Sequence, residues 1–410
     1  MTSMTVKQIR NLKGTIKCSG SKNAGIPILC ASLLYQGKVK LKNVSNILDI
    51  NNLLNIFRYL NCNVKRHENT VIIDSKKMRY RSLCINDCTK IRGSYYLIPV
   101  FLYLYGKCEI ALPGGCKIGA RPIDTHLAML EALGCEIKQE ENRLLVTIAE
   151  VKKEFKYWVE KQSVGASINT ILASLMCDYA VIDNLTIEPE GKDLIDFLTV
   201  MGFDLSYFNS KCVYKGHVNV KKVEYKIIPD RMEAMTFIIL GLLCGNIKVK
   251  NVNVSHLSYP LKLLVQAKYK IIINKKYIRA LKSRGRAFNI KTDVYPFFPT
   301  DMQPLFGVLL AYSAGDCVIE ENIFENRMNI YYDLINAKAN INVIDNKAYI
   351  IGTDRLSHGE FECVDLRQGA AIIIHILKSG GSCSNIDVVR RGYEDFFYKL
   401  LTLGANFSIK

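Results

Sequence analysis

At 410 residues, with 49% hydrophobic and 23% charged side chains, the chain can bury a large core spread over about two or three domains, which excludes disorder as its main state. The stretches 95–105 and 237–244 are the longest apolar candidates, well short of the roughly 18 residues a membrane helix needs, and Lys7, Arg10 and Lys13 interrupt any signal-peptide core, so a soluble cytoplasmic protein without membrane insertion is expected. Lys and Arg number 55 against 38 Asp and Glu, a net +17, which suits an anionic substrate, an anionic polymer or a lysine-rich surface; with no dense basic tail, helix-turn-helix pattern or RNP-like aromatics, no nucleic-acid partner is expected.

From the N-terminus, Ser19, Gly20, Ser21, Lys22, Asn23, Ala24 and Gly25 precede a helical run from Ile26 to Leu34. Backbone donors at a helix start beside a lysine suit a phosphate or carboxylate. The GxxxxGK[ST] order is absent, and a helix cap with a solvated lysine fits the same residues equally well. Arg92 beside Gly93, Arg121 beside Ala120 and Arg391 beside Gly392 stand next to small residues rather than on a charged helix face. Their planar forks, with Lys22, would clamp a small anion, while each alone also fits a surface salt bridge.

Residues 113–122 read Pro-Gly-Gly-Cys-Lys-Ile-Gly-Ala-Arg-Pro, a composition that fits neither helix nor strand and predicts an exposed loop. Cys116 sits there next to Lys117 and near Arg121, and neighbouring cations favour thiolate over thiol, so it is a candidate nucleophile or acid/base group. The fourteen cysteines are otherwise scattered without any CxxC pair, and the six histidines show no ligand spacing; reduced thiols, no metal and no cofactor are expected. Thr125 to Leu133 puts Leu127, Leu130 and Leu133 on one helical face, Gly134 ends that helix, and Cys135 to Lys138 starts a strand. Further on, Pro296 and Pro299 force extended backbone before a helix that runs through Ala311. Asp301 reads either as the capping carboxylate of that helix or as a carboxylate at a cleft edge, able to take a proton from a hydroxyl.

Two landmarks recur about every 70 residues. One is a turn followed by a strand-like run, at Gly37, Gly106, Asp178, Gly245, Gly315 and Gly381; the other is a helix end followed by a strand, at Leu60, Leu133, Met201, Ala267, Ala337 and Leu403. Six mixed α/β units of one size follow, and since none can bury its own helices and sheet alone, two groups of three are expected, with a cleft between them.

In order along nearly the whole chain, Lys22 and Asn23, Arg92, Cys116 to His126, Ser163 to Ala166, Glu188 to Asp193, Ile228 to Glu233, Pro299 to Gln303, Phe324 to Arg327, Asp365 to Arg367 and Arg391 to Glu394 resemble the UDP-N-acetylglucosamine 1-carboxyvinyltransferase family. The resemblance implies an α/β (α+β) two-lobed enolpyruvyl transferase fold, six βαβαββ units arranged as two three-fold inside-out α/β barrels. It implies one lobe over residues 22–228 carrying the cysteine loop, and a second over 1–21 plus 229–410 carrying Asp301, Arg367 and Arg391, so that the lobes must close for catalysis. The implied reaction moves enolpyruvate from phosphoenolpyruvate to the 3′-hydroxyl of UDP-N-acetylglucosamine and releases phosphate, the first committed step of peptidoglycan synthesis. A relative using another uridine-nucleotide acceptor and a non-catalytic regulator that binds the UDP-sugar are the alternatives.

Carried over position by position, Lys22, Asn23, Arg92, Arg121, Arg367 and Arg391 would bind phosphoenolpyruvate. Cys116 would protonate its methylene carbon, and is the family's site of alkylation by fosfomycin; Asp301 would orient or deprotonate the sugar hydroxyl. Asn23, Arg92, Arg121, Pro122, Ile123, Asp124, Thr125, Lys161, Ser163, Val164, Gly165, Asp301 and Ile323 would hold the UDP-sugar. A monomer or weak homo-oligomer is expected. The sequence departs from the family's pattern where Gln368 and Gly369 replace Ala-Ser, where Val388 and Arg390 replace His and Asp, where Asn329 and Ile330 replace Met-His, and at Phe297 and Met235.

Overall fold

The computed structural model describes residues 1–112 and 123–410. Expectations for Cys116, Arg121 and Pro122 fall outside the described residues. Met1–Ser19 and Pro229–Lys410 form one compact unit; residues 20–112 and 123–228 form the other, and each has its own apolar core.

The first unit is built on three four-stranded sheets: Gly359–Glu362, Gly381–Ser384, Ser3–Val6 and Phe407–Ile409; Lys270–Asn274, Tyr277–Leu281, Gly245–Lys250 and Leu12–Lys17; and Ile290–Lys291, Asp316–Glu320, Lys347–Ile351 and Asn340–Ile344. Each contains one parallel pair and is otherwise antiparallel. The helices Arg231–Cys244, Gln303–Ala311 and Leu366–Ser379 pack on one another inside these sheets. Every residue of the first two is buried, as expected of helices that are apolar all round beyond their first turn.

The second unit repeats the plan. Its sheets are Phe203–Phe208, Lys211–His217, Tyr179–Asp183 and Glu154–Trp158; Val223–Lys226, Lys38–Lys42, Thr70–Asp74 and Asn63–His67; and a three-stranded Lys107–Ala111, Arg143–Ile148 and Cys135–Gln139. In the last, only the isolated parallel bridge between Leu83 and Ile110 stands where the other sheets have a parallel strand. Lys38–Lys42 shows why these strands form: in Lys-Val-Lys-Leu-Lys, Val39 and Leu41 point inward and are fully buried while the lysines face out. Each such buried side chain stabilises by about 1.5–3 kcal/mol.

All six predicted turn-strand landmarks coincide with strands, beginning with Lys38–Lys42 and ending with Gly381–Ser384, and all six helix-strand junctions are present. Gly134 ends helix Asp124–Leu133 at φ +106°, and a Cβ there would lie 1.9 Å from the Glu150 carbonyl oxygen, so both conformation and space demand glycine.

One difference concerns the first helix, which spans Lys22–Ser32 rather than beginning at Ile26. Ser21 accepts a hydrogen bond from the Ala24 amide at 3.4 Å and Pro27 is carried inside the helix, so the glycine-containing segment is helical rather than a leading loop. The chain passes from the first unit to the second between Ser19 and Gly20, ahead of the expected Lys22. The Ser19 amide donates to Glu233 Oε2 at 2.9 Å and its carbonyl accepts from the Asp230 amide at 2.9 Å. The next donor, the Ser21 amide, goes to the Ile228 carbonyl of the second unit at 2.8 Å.

Candidate active site

In the first unit, Asp301 lies in the 3-10 turn Thr300–Met302, between Pro299 and helix Gln303–Ala311. It does not cap that helix, whose N-cap position is Met302 with no side-chain bond. The Asp301 carboxylate instead accepts from two arginines: Oδ1 from Arg327 Nη2 at 2.6 Å, and Oδ2 from Arg367 Nε at 3.2 Å and Nη2 at 3.1 Å. The arginine side chains are only 3% and 5% exposed against 24% for Asp301, so the carboxylate is the accessible tip of a buried cationic pair. Burial works against the Arg367 charge, but Asp301 and Tyr393 more than offset it and hold its pKa above the ordinary arginine value. Among the described residues, Arg327 Nε and Nη1 are buried without a hydrogen-bond partner.

Local sequence explains this arrangement. Asp365 caps helix Leu366–Ser379 by accepting from the Arg367 and Gln368 amides at 2.7 and 3.1 Å, which fixes Arg367 in the first turn. Gly392, immediately after the turn Ile386–Arg391, would place a Cβ 2.5 Å from Leu366 Cδ2; its glycine lets the half-buried Arg391 approach the helix that carries Arg367. Glu321 joins the Asp301 turn to the next loop, accepting from Thr300 Oγ1 at 3.0 Å and from the Ile323 and Phe324 amides at 2.9 and 3.1 Å. Burial pushes its carboxyl above the usual range.

In the second unit, Lys22 is the first residue of its helix, and its Nζ pairs with Asp49 Oδ2 at 2.6 Å; the two side chains are 14% and 5% exposed. Lys22 is therefore held by a buried carboxylate rather than freely solvated, and Asn23 beside it is half-buried. Arg92 opens the turn Arg92–Tyr96 with its guanidinium 5.9 Å from the Tyr95 ring centroid. A Cβ on Gly93 would meet Ile26 Cγ2 at 2.4 Å, so glycine there brings the Arg92 turn onto the Lys22 helix. Ile123 stands at the start of helix Asp124–Leu133, which holds Asp124 and Thr125, and Ser163 caps helix Val164–Ser174, which holds Gly165. These two helices are joined by Asn169 Nδ2 donating to His126 Nδ1 at 2.8 Å, and Asn169 also reaches the Tyr95 carbonyl at 3.4 Å. Lys161 is exposed ahead of that cap.

Asp193, on helix Pro189–Val200, accepts from Tyr225 Oη at 2.6 Å and from the Ile228 amide at 3.1 Å, yet burial dominates and pushes its pKa up to about 6. Because the folded value lies above the unfolded one, its contribution to stability is complete below about pH 4 and is lost as pH rises through 6. The loss amounts to roughly 2–3 kcal/mol. Asp193→Asn is expected to flatten that part of the stability-versus-pH curve, as read from urea midpoints between pH 4 and 7.

Residues 6–400 match the family model of EPSP synthase (3-phosphoshikimate 1-carboxyvinyltransferase). The UDP-N-acetylglucosamine 1-carboxyvinyltransferase of Halothermothrix orenii is 36% identical over 99% of both chains, and that of Buchnera aphidicola subsp. Schizaphis graminum is 34% identical over 99% of both. The chain belongs to the UDP-N-acetylglucosamine 1-carboxyvinyltransferase family. Its fold is that of the solved enolpyruvyl transferases. The enolpyruvyl transferase NikO from Streptomyces tendae aligns with TM-score 0.90 at 19% identity, covering 100% of this chain and 98% of that one. EPSP synthase from Acinetobacter baumannii aligns with TM-score 0.76 at 13% identity, covering 100% and 99%.

Within this enolpyruvyl transferase fold, several residues join the sites without having been assigned a role from sequence. Arg327 and His126 are visible in the sequence only as the ends of matching segments; Glu321 and Asn169 carry no such signal, because Thr300, His126 and Tyr95, to which they bond across elements, lie 21 to 74 residues away. Two departures from the family pattern have structural partners. Gly369 leaves space taken by Cys363 Cβ and Val389 Cγ2, each 3.1 Å from where a Cβ would sit. Gln368 Nε2 donates to Asp333 Oδ2 at 2.7 Å and to the Glu362 carbonyl at 3.0 Å, while its Oε1 accepts from the Val364 amide at 3.0 Å. Gln368→Ala is expected to destabilise the protein by about 1–3 kcal/mol, measured as a lowered denaturant midpoint, because it removes a buried side chain that makes three hydrogen bonds and leaves its partly buried partners without it.

Proposed function

We propose that this protein transfers the enolpyruvyl group of phosphoenolpyruvate to the 3′-hydroxyl of UDP-N-acetylglucosamine, releasing phosphate in the first committed step of peptidoglycan synthesis. The observation that carries this reading is the match, over 99% of both chains, to relatives bearing that name. The Asp301 carboxylate between two buried arginines fits a site that meets both a hydroxyl and an anion. The reaction needs no cofactor, since phosphoenolpyruvate itself supplies the transferred group, and a cytoplasmic location is in keeping with these substrates.

On this reading Lys22, Asn23, Arg92, Arg121, Arg367 and Arg391 bind phosphoenolpyruvate, neutralising its phosphate and carboxylate. Cys116 gives a proton to the methylene carbon, C2 gains oxocarbenium character, and the sugar oxygen attacks C2 as Asp301 orients the hydroxyl and accepts its proton. The tetrahedral ketal then loses a methyl proton and phosphate, leaving the enol ether. Pro122, Ile123, Asp124, Thr125, Lys161, Ser163, Val164, Gly165 and Ile323, with Asn23, Arg92, Arg121 and Asp301, hold the UDP-sugar. The test is phosphate release from phosphoenolpyruvate with and without UDP-N-acetylglucosamine. Acceptor-dependent release supports the assignment; much faster release with another uridine nucleotide, or tight UDP-sugar binding without release, overturns it.

A further inference from the structure

The charge excess is not spread evenly. No Asp or Glu occurs before Asp49, and none occurs from Ala234 to Thr292. The fold combines parts of these two stretches in one sheet, because Leu12–Lys17 pairs in parallel with Gly245–Lys250, which pairs with Tyr277–Leu281 and through it with Lys270–Asn274. Strand alternation and register set the outward residues in three rows: Lys13, Asn246, Leu281, Lys270; Thr15, Lys248, Arg279, Ile272; and Lys17, Lys250, Tyr277, Asn274. Six of the twelve are cationic and none is acidic. Lys275 and Lys276 extend the array at the exposed hairpin turn.

The other five sheets differ. Glu224 faces Lys40 and Lys42, Glu320 faces Lys291 and Lys347, Glu109 pairs with Arg143, Asp183 pairs with Lys211, and the sheet begun by Gly359–Glu362 has Glu360 and Glu362 on its exposed positions. A lysine-rich composition would load every sheet alike, whereas here one face lacks carboxylates altogether. We infer that this sheet face docks on an anionic phospholipid bilayer, as a peripheral contact outside the substrate site.

Its chemistry favours lipid over nucleic acid. The cations form a two-dimensional array about 15 Å across, matching a flat anionic surface rather than a single backbone track. Five of the six are lysines, compact point charges without the bidentate fork. The aromatic in the array, Tyr277, has Lys248 Nζ at 3.8 Å from its ring centroid, so a cation rather than a base occupies that face of the ring. Ile272, 46% exposed in the same outward row as Lys248 and Arg279, gives apolar contact at the headgroup boundary.

The experiment is co-sedimentation of the full chain with vesicles of phosphatidylglycerol and phosphatidylethanolamine, against phosphatidylcholine alone. Binding to the anionic vesicles only, weakened by salt, is expected. Lys17→Glu, Lys250→Glu and Lys270→Glu together should weaken it about tenfold or more, and their Gln counterparts should weaken it less with thermal unfolding unchanged. The equally exposed set Lys65→Glu, Lys156→Glu and Lys215→Glu on the other unit should leave most binding intact. Equal loss in both sets would assign the effect to net charge and overturn the proposal. So would absence of vesicle binding by the unmodified chain, or a preference for single-stranded RNA over the vesicles through the same lysines.

Discussion

Asp301→Asn is expected to lower acceptor-dependent phosphate release by about 10²–10⁴-fold with the protein still folded, if the carboxylate takes the hydroxyl proton. An amide keeps the planar shape and one acceptor oxygen, so one arginine retains its partner while the other meets an amide nitrogen. Asp301→Ala is a different experiment. It leaves Arg327 and Arg367, 3% and 5% exposed, without the shared anion that both contact. Breaking a buried pair in this way costs about 3–5 kcal/mol, so the alanine variant should show a depressed unfolding midpoint as well as lost activity. Measuring kcat, KM for phosphoenolpyruvate and the denaturant midpoint in both variants separates the roles. Full kcat in a folded asparagine variant would remove Asp301 from the proton transfer and leave it only the task of holding two arginines.

That separation matters because Asp301 is where sequence and structure part. From the chain alone, Pro299 followed by Thr300 and Asp301 reads as a helix cap before it reads as a cleft-edge carboxylate, since capping depends on residue type at a helix start. The choice of partner depends on Arg327 and Arg367, 26 and 66 residues away, and no local pattern encodes it. The six-fold repeat was legible for the opposite reason. A turn before a strand and a helix end before a strand are local events, and each of the twelve landmarks reports its own backbone. Lys22 falls between these cases: its place at a helix start could be read, but Asp49, which engages its ammonium, could not. Gln368 shows the limit of pattern matching. Relative to the family it looks like a lost alanine, while in the fold it ties Asp333, the Glu362 carbonyl and the Val364 amide together behind Arg367.

Cys116→Ala is expected to lower turnover by about 10²–10⁴-fold while leaving the dissociation constant for UDP-N-acetylglucosamine within a small factor, because a proton donor acts in the transition state and contributes little to acceptor binding. Cys116→Asp should retain part of the rate, since a carboxyl also donates a proton, and should resist fosfomycin, since a carboxylate attacks an epoxide poorly compared with a thiolate. The remaining cysteines make the labelling arm of this test clean. Burial pushes Cys62, Cys88 and Cys212 up to about 12, so at neutral pH they are protonated as well as hidden. Of the thirteen described cysteines only Cys84 is exposed. In a Cys84→Ser background, fosfomycin or iodoacetamide should therefore modify one site, and intact mass should show a single adduct that Cys116→Asp abolishes. A single adduct that persists in Cys116→Asp would put the reactive thiol elsewhere, and a rate unchanged in Cys116→Ala would assign the proton transfer to another group.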